Sequence, residues 1–156
     1  MSNNTIYEIF DIYTTVEIVM VKSPVRELVD RYVRKYKPKK LDAPWKAVKG
    51  TKVITIQLSD VIHMFDDKKV WEADKGNGSV SVWEVIRSPK NRNPKQWRRM
   101  ERADTSYPII ISKRIDGKWD VIDGLHRLMK LYLNHKKSVK AQVLTPSMVK
   151  KRYFLE

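Results

Sequence analysis

The sequence predicts an α/β protein of the α+β kind: a small mixed β-sheet with packed helices, preceded by an N-terminal strand–helix extension. Three observations predict it. Short runs of β-branched residues with period two alternate with stretches of period 3.6. The punctuation between them is that of caps and tight turns: Ser23-Pro24, Asn93-Pro94 and Asp116-Gly117. A hydrophobic fraction of 42% over 156 residues is enough for one domain with a sizeable core, which excludes a disordered chain.

Thr5 to Val21 is rich in β-branched and aromatic residues, with Val16, Ile18 and Met20 alternating, and predicts one or two strands. Ser23 is an N-cap followed by a first-turn proline. Val25, Leu28, Val29, Tyr32, Val33 and Tyr36 then recur at helical spacing, giving an amphipathic helix that ends before Pro38. Lys37 to Gly50 is the best linker, which divides the chain into an extension (residues 1–50) and a main domain (residues 51–156). In the main domain Val53, Ile54 and Ile56 mark a strand from Lys52 to Gln57. Ser59 or Asp60 caps a short helix through Val61, Ile62 and Met64. Asp66 to Gly78 reads as a loop, Ser79 as the cap of a helix carrying Val82, Trp83 and Ile86. Asn93-Pro94-Lys95-Gln96 reads as cap, first-turn proline and capping-box glutamine of a helix to about Ala103.

The last third is the most legible. Pro108 to Ser112 is almost continuously apolar, as a buried strand should be. Asp116-Gly117 is a hairpin turn, and Trp119, Val121 and Ile122 form the return strand. Asp123-Gly124 breaks that strand, and Leu125 opens a helix running to about His135. Val139, Ala141 and Val143 form a final strand, which Pro146 stops. Trp83, Trp119 and Tyr132 read as core residues.

The net charge of +14 favours polyanionic partners, since basic surfaces release counterions from phosphate backbones. The excess is uneven: from Thr105 onward there are 11 Lys/Arg against 4 Asp/Glu. The absence of cysteine excludes disulfides, thiol nucleophiles and thiolate metal sites. No apolar run reaches the roughly 18–20 residues that span a bilayer. With the polar start Met1-Ser2-Asn3-Asn4, these features suggest a soluble cytoplasmic protein with no membrane partner.

One motif carries chemistry. On the helix from Leu125, the apolar Leu125, Leu128, Met129, Leu131, Tyr132 and Leu133 leave a polar stripe of His126, Arg127, Lys130 and Asn134. His126 and Arg127 fall in the first turn, on the side expected to be exposed, just after a glycine. A helix N-terminus offers unpaired N–H groups and a positive dipole end. Gly124 would let an anion approach the backbone, and Arg127 would grip its oxygens bidentately. Gly124, His126, Arg127 and Lys130 are therefore the candidate phosphate or nucleotide contacts. His126 is the candidate acid or base, with Asp123 beside it, although Asp123 also has a plain role as turn-former.

The run Tyr107-Pro108-Ile109-Ile110-Ile111, followed by Gly117-Lys118-Trp119-Asp120-Val121-Ile122-Asp123-Gly124-Leu125-His126-Arg127-Leu128, resembles the core signature of ParB/sulfiredoxin-like domains. There the pattern is roughly Pro-Ile-x-Val, then Gly-x-x-x-x-x-Asp-Gly-x-His-Arg. The resemblance covers about Tyr107 to Leu144. It implies a small α/β domain whose glycine-to-arginine turn, here Gly124, His126 and Arg127, binds nucleotide phosphates; the cofactor expectation is ATP or CTP with Mg²⁺, or otherwise none. Sulfiredoxins place a reactive cysteine immediately before the His-Arg pair. Leu125 stands there instead, so sulfinate reduction is excluded.

A second constellation is Arg87, Lys90, Arg92, Lys95, Arg98, Arg99 and Arg102, interleaved with Trp97 and with Asn91 and Asn93. On a helix from Pro94 the last four share one face, a plausible grip on a nucleic-acid backbone or a merely solvated charged face. Asp60, Asp66, Asp67, Glu72 and Asp123 have no spacing diagnostic of a metal site. His63 is expected at the edge of a short helix and His135 at a helix C-terminus. Three functions follow from these residues: a nucleotide- or DNA-binding protein, an enzyme using the same turn (nuclease, nucleotide hydrolase or small-molecule kinase), or a basic module meeting an acidic protein.

Overall fold

The computed structural model describes residues 22–37, 44–74 and 78–153. The strands expected between Thr5 and Val21 lie outside them. The described chain has mixed α and β content, and its centre is a four-stranded sheet whose order is strands β1 (Ile54–Gln57), β6 (Ser138–Val143), β4 (Ile109–Lys113) and β5 (Trp119–Asp123). β1 runs antiparallel to β6, with Ile56 opposite Val139. β6 runs parallel to β4, with Ile109 opposite Ala141. β4 pairs antiparallel with β5 across the Asp116-Gly117 turn, with a bulge between Ile110 and Ile111.

β4 is buried on both faces, which explains its unbroken apolar run. Ile109 and Ile111 face one core with Val121, Val139, Ala141, Leu128 and Met129. Ile110 faces the other, with Val25, Leu28, Val48, Leu144 and Val149. The first face is covered by α3 (Val82–Arg87), α4 (Pro94–Arg102), α5 (Leu125–Leu133) and two 3₁₀ turns, Leu58–Asp60 and Ile62–Asp66. α1 (Pro24–Tyr36), α2 (Pro44–Ala47) and α6 (Pro146–Tyr153) cover the second.

Local grammar accounts for most ends. Ser23 Oγ accepts from Arg26 N at the start of α1, and Lys37 closes it in the left-handed region at φ 44°. α1 does not bury its whole apolar stripe: Val25 and Leu28 are buried, but Val33 and Tyr36 are exposed at its far end. Its N-terminus is fastened to β5 instead. Asp120, 2% exposed, accepts from Ser23 Oγ at 2.9 Å and from Arg26 Nε at 2.9 Å, and Ser112 Oγ donates to Ser23 Oγ at 2.7 Å.

Four expectations need correction. The short helix expected through Val61, Ile62 and Met64 is a pair of 3₁₀ turns with Val61 between them, and Asp60 does not cap it but accepts from Gln57 N at the start of the first turn. The supposed loop after Asp66 contains β2 (Trp71–Glu72), which pairs with β3 (Ser79–Val80). Ser79 is therefore in a strand, and Ser81 caps α3 in a reciprocal capping box with Glu84. Pro146 does not merely stop β6; it opens α6, whose Met148 N donates to Thr145 Oγ1. Among the described residues no helix is long and apolar enough to cross a membrane.

Candidate phosphate-binding turn and basic helix face

Asp123 ends β5 and Gly124 opens α5 in the left-handed region, φ 119° and ψ 17°. No side chain caps this helix, so its first-turn N–H groups lack the usual acceptor. The glycine has two local causes. A non-glycine residue is strained at this φ. A Cβ built there would also lie 2.6 Å from Ile109 Cγ2 and 3.1 Å from Arg127 Nη2. β4 presses on Gly124 from one side, and the Arg127 guanidinium folds back beside it.

Arg127 is not on an open surface, as the polar stripe suggested. Its side chain is 19% exposed, Nη2 contacts Asp123 Oδ2 at 3.0 Å, and Nε is buried without a partner. Asp123, at 41% exposure, is the solvent-facing half of the pair. It is thus more than a turn-former: it holds the guanidinium at the helix start.

His126 is also drawn inward. Its ring stacks on Trp71 with centroids 4.3 Å apart and planes 12° from parallel. Its Nε2 lies 2.8 Å from Gln96 Oε1, and Gln96 Nε2 donates to the Glu72 carbonyl at 3.1 Å. That carbonyl can only accept, so the amide nitrogen must face it and Oε1 must face His126. Nε2 of His126 therefore carries the hydrogen. Burial, helped by the nearby Arg99 charge and opposed by Asp123, pushes the imidazole pKa down to about 4. Burial thus favours the uncharged ring at neutral pH.

Lys130, the fourth expected contact, is engaged elsewhere. Its Nζ donates to the carbonyls of Glu101 and Ala103, both at 2.9 Å, and closes the C-terminus of α4. Gln96 likewise departs from its expected role. Only 1% exposed, it turns into the core, and the side chain capping α4 is Asp74, whose Oδ2 accepts from Lys95 N. Sequence reasoning missed Gln96 and Trp71 as partners of His126, because neither lies near it in the chain.

The basic constellation is assembled along α3, a 3₁₀ turn at Lys90–Arg92, and α4. Arg87 lies over Trp83 at 4.7 Å and Lys90 over Trp97 at 5.0 Å. Gln96 and Met100 turn inward, leaving Lys95, Arg98, Arg99 and Arg102 at i, i+3, i+4 and i+7 on the outer side. The remaining candidates are scattered. His63 Nε2 is 2.7 Å from the Trp119 carbonyl, and burial lowers its pKa, an effect that bond opposes. His135 is exposed just beyond α5 at φ 58°. Among the described residues no three His, Asp or Glu side chains converge to hold a metal ion. A concavity of about 590 Å³ between α1 and α6 lies in the other helical layer, away from the turn. No protein-family model, curated protein or solved structure matches this chain.

Proposed function

We propose that this protein binds the phosphate of a nucleotide or nucleic acid at the turn from Asp123 to Arg127. One observation carries the reading: a guanidinium held beside a left-handed glycine at a helix N-terminus that no side chain caps. Free N–H donors, the helix dipole and a fixed cation then act on one anion. The ParB/sulfiredoxin-like resemblance of Tyr107 to Leu144 points the same way.

The Asp123 carboxylate competes for the guanidinium, so a bound phosphate displaces or shares that contact. If ATP or CTP is the ligand, Asp123 is the carboxylate positioned to meet the Mg²⁺ that accompanies the phosphates. His126 then contributes shape through its stack on Trp71, rather than charge.

Calorimetric titration with ATP, CTP and inorganic triphosphate tests this. Arg127→Ala should weaken binding roughly ten- to a hundredfold, as expected for one charge-assisted hydrogen bond of about 1.5–3 kcal/mol. No heat from any of the three with the wild type at millimolar concentration would make the turn a fold element only. Turnover of a nucleotide or of DNA that His126→Ala abolishes, with affinity retained, would establish the enzyme reading.

A further inference from the structure

α4 is short and strongly divided. Gln96 at 1% and Met100 at 7% exposure face the core, with Trp97 packed beside them. At 100° per residue, Lys95, Arg98, Arg99 and Arg102 fall within one strip on the opposite side. That strip is about 10 Å long, at 1.5 Å per residue. Arg98, Arg99 and Arg102 are exposed and Lys95 is half-buried. Among the described residues, none of the four is paired with a carboxylate. Arg26, Arg114 and Arg127, by contrast, each hold an aspartate. The Lys90–Arg92 turn comes just before α4, with Lys90 over the Trp97 ring, and Arg87 ends α3 over Trp83.

We infer that the outer face of α4, with the Lys90–Arg92 turn at its foot, is a docking surface for duplex nucleic acid that grips backbone phosphates without reading bases. Adjacent unpaired cations repel one another, and a polyanion relieves that repulsion while releasing its counterions. On α4 no Asn or Gln faces outward to read a base edge, because Gln96 is turned inward; the single exposed amide of the surface is Asn91, in the turn at its foot. A single-strand binder would show free aromatic faces for stacking. Here both tryptophans of the cluster pack on the core and carry Arg87 and Lys90 over their rings. This face borders the turn, since the Arg99 charge reaches His126, but its cations are distinct from Arg127 and the inference does not rest on the turn.

Fluorescence anisotropy with a labelled mixed-sequence DNA duplex, titrated between about 50 and 200 mM salt, tests the inference. Each phosphate contact contributes about 0.9 to the slope of log affinity against log salt, so replacing Arg98, Arg99 and Arg102 together by alanine should flatten it by about 2.7. Across that salt range the wild type then loses about 40-fold more affinity than the variant. The triple lysine variant should keep the slope, and Arg127→Ala should not reproduce the alanine effect. Four results overturn the inference: an unchanged slope in the alanine variant, an equal loss in the lysine variant, tighter binding of a single strand than of the duplex, or competition by polyglutamate as effective as unlabelled duplex. The last would assign the face to an acidic protein.

Discussion

His126 donates through Nε2 to Oε1 of Gln96, 2.8 Å away and 30 positions earlier in the chain. The contact ties the first turn of α5 to the buried side of α4, and through Gln96 to the backbone of β2. It fixes the imidazole as the Nε2–H tautomer. A histidine read as a surface acid is thus a neutral, stacked and oriented ring.

Gln96→Ala should therefore cost about 2–3 kcal/mol of unfolding free energy, since it leaves the Glu72 carbonyl and His126 Nε2 without their partner. Chemical denaturation measures the loss. In the wild type, ¹⁵N shifts of the His126 ring should show Nε2 protonated and Nδ1 bare from neutral pH down to about 5. A ring that titrates near its ordinary value would contradict the burial argument.

Acid should destabilise the fold as pH falls below the ordinary histidine value. The folded-state pKa of His126, about 4, lies below its ordinary value of 6.5, so the unfolded chain binds the proton more tightly. The stability due to the neutral ring is complete above pH 6.5 and falls as pH drops toward 4. His63 is lowered too and adds to the same trend. Unfolding curves across this window should show a shallower pH slope in His126→Leu than in the wild type.

Gly124 and Gly117 both have positive φ, but only Gly124 is enclosed. Gly117→Ala meets open space and should cost about 1–2 kcal/mol, the backbone penalty alone. Gly124→Ala adds the collision with Ile109 and should cost about 3 kcal/mol or more. Comparable melting temperatures for the two variants would show that β4 yields easily at Ile109.

The Asp120 cluster should fail asymmetrically. Arg26→Ala leaves a carboxylate that is 2% exposed without its cation, which costs about 3 kcal/mol or more. Asp120→Asn removes the charge from the buried side and leaves Arg26, one-third exposed, able to hydrate; its cost should be smaller. In both variants, hydrogen exchange should speed up in α1 before it does in β4 and β6.

The sequence by itself determined those features that a few neighbouring residues settle. Ser23-Pro24 starts α1, Asp116-Gly117 turns the β4–β5 hairpin, the apolar run at Ile109 makes a doubly covered strand, and Gly124 separates β5 from α5. Each is a matter of local dihedral preference or of side-chain period. α6 uses the same grammar in Thr145-Pro146, but Pro146 reads equally as the stop of β6, and the expectation took it only so. β2 and β3, at two residues each, were too short to show any period. Tertiary structure alone decided which polar groups are free to act. Gln96 left its helix cap for His126, Lys130 left the turn for the carbonyls of α4, and Asp120 found Arg26 at a separation of 94 residues. Hydrogen-bonding capacity is written in each side chain, but its partner is set by how helices dock on the sheet, and no local pattern encodes that.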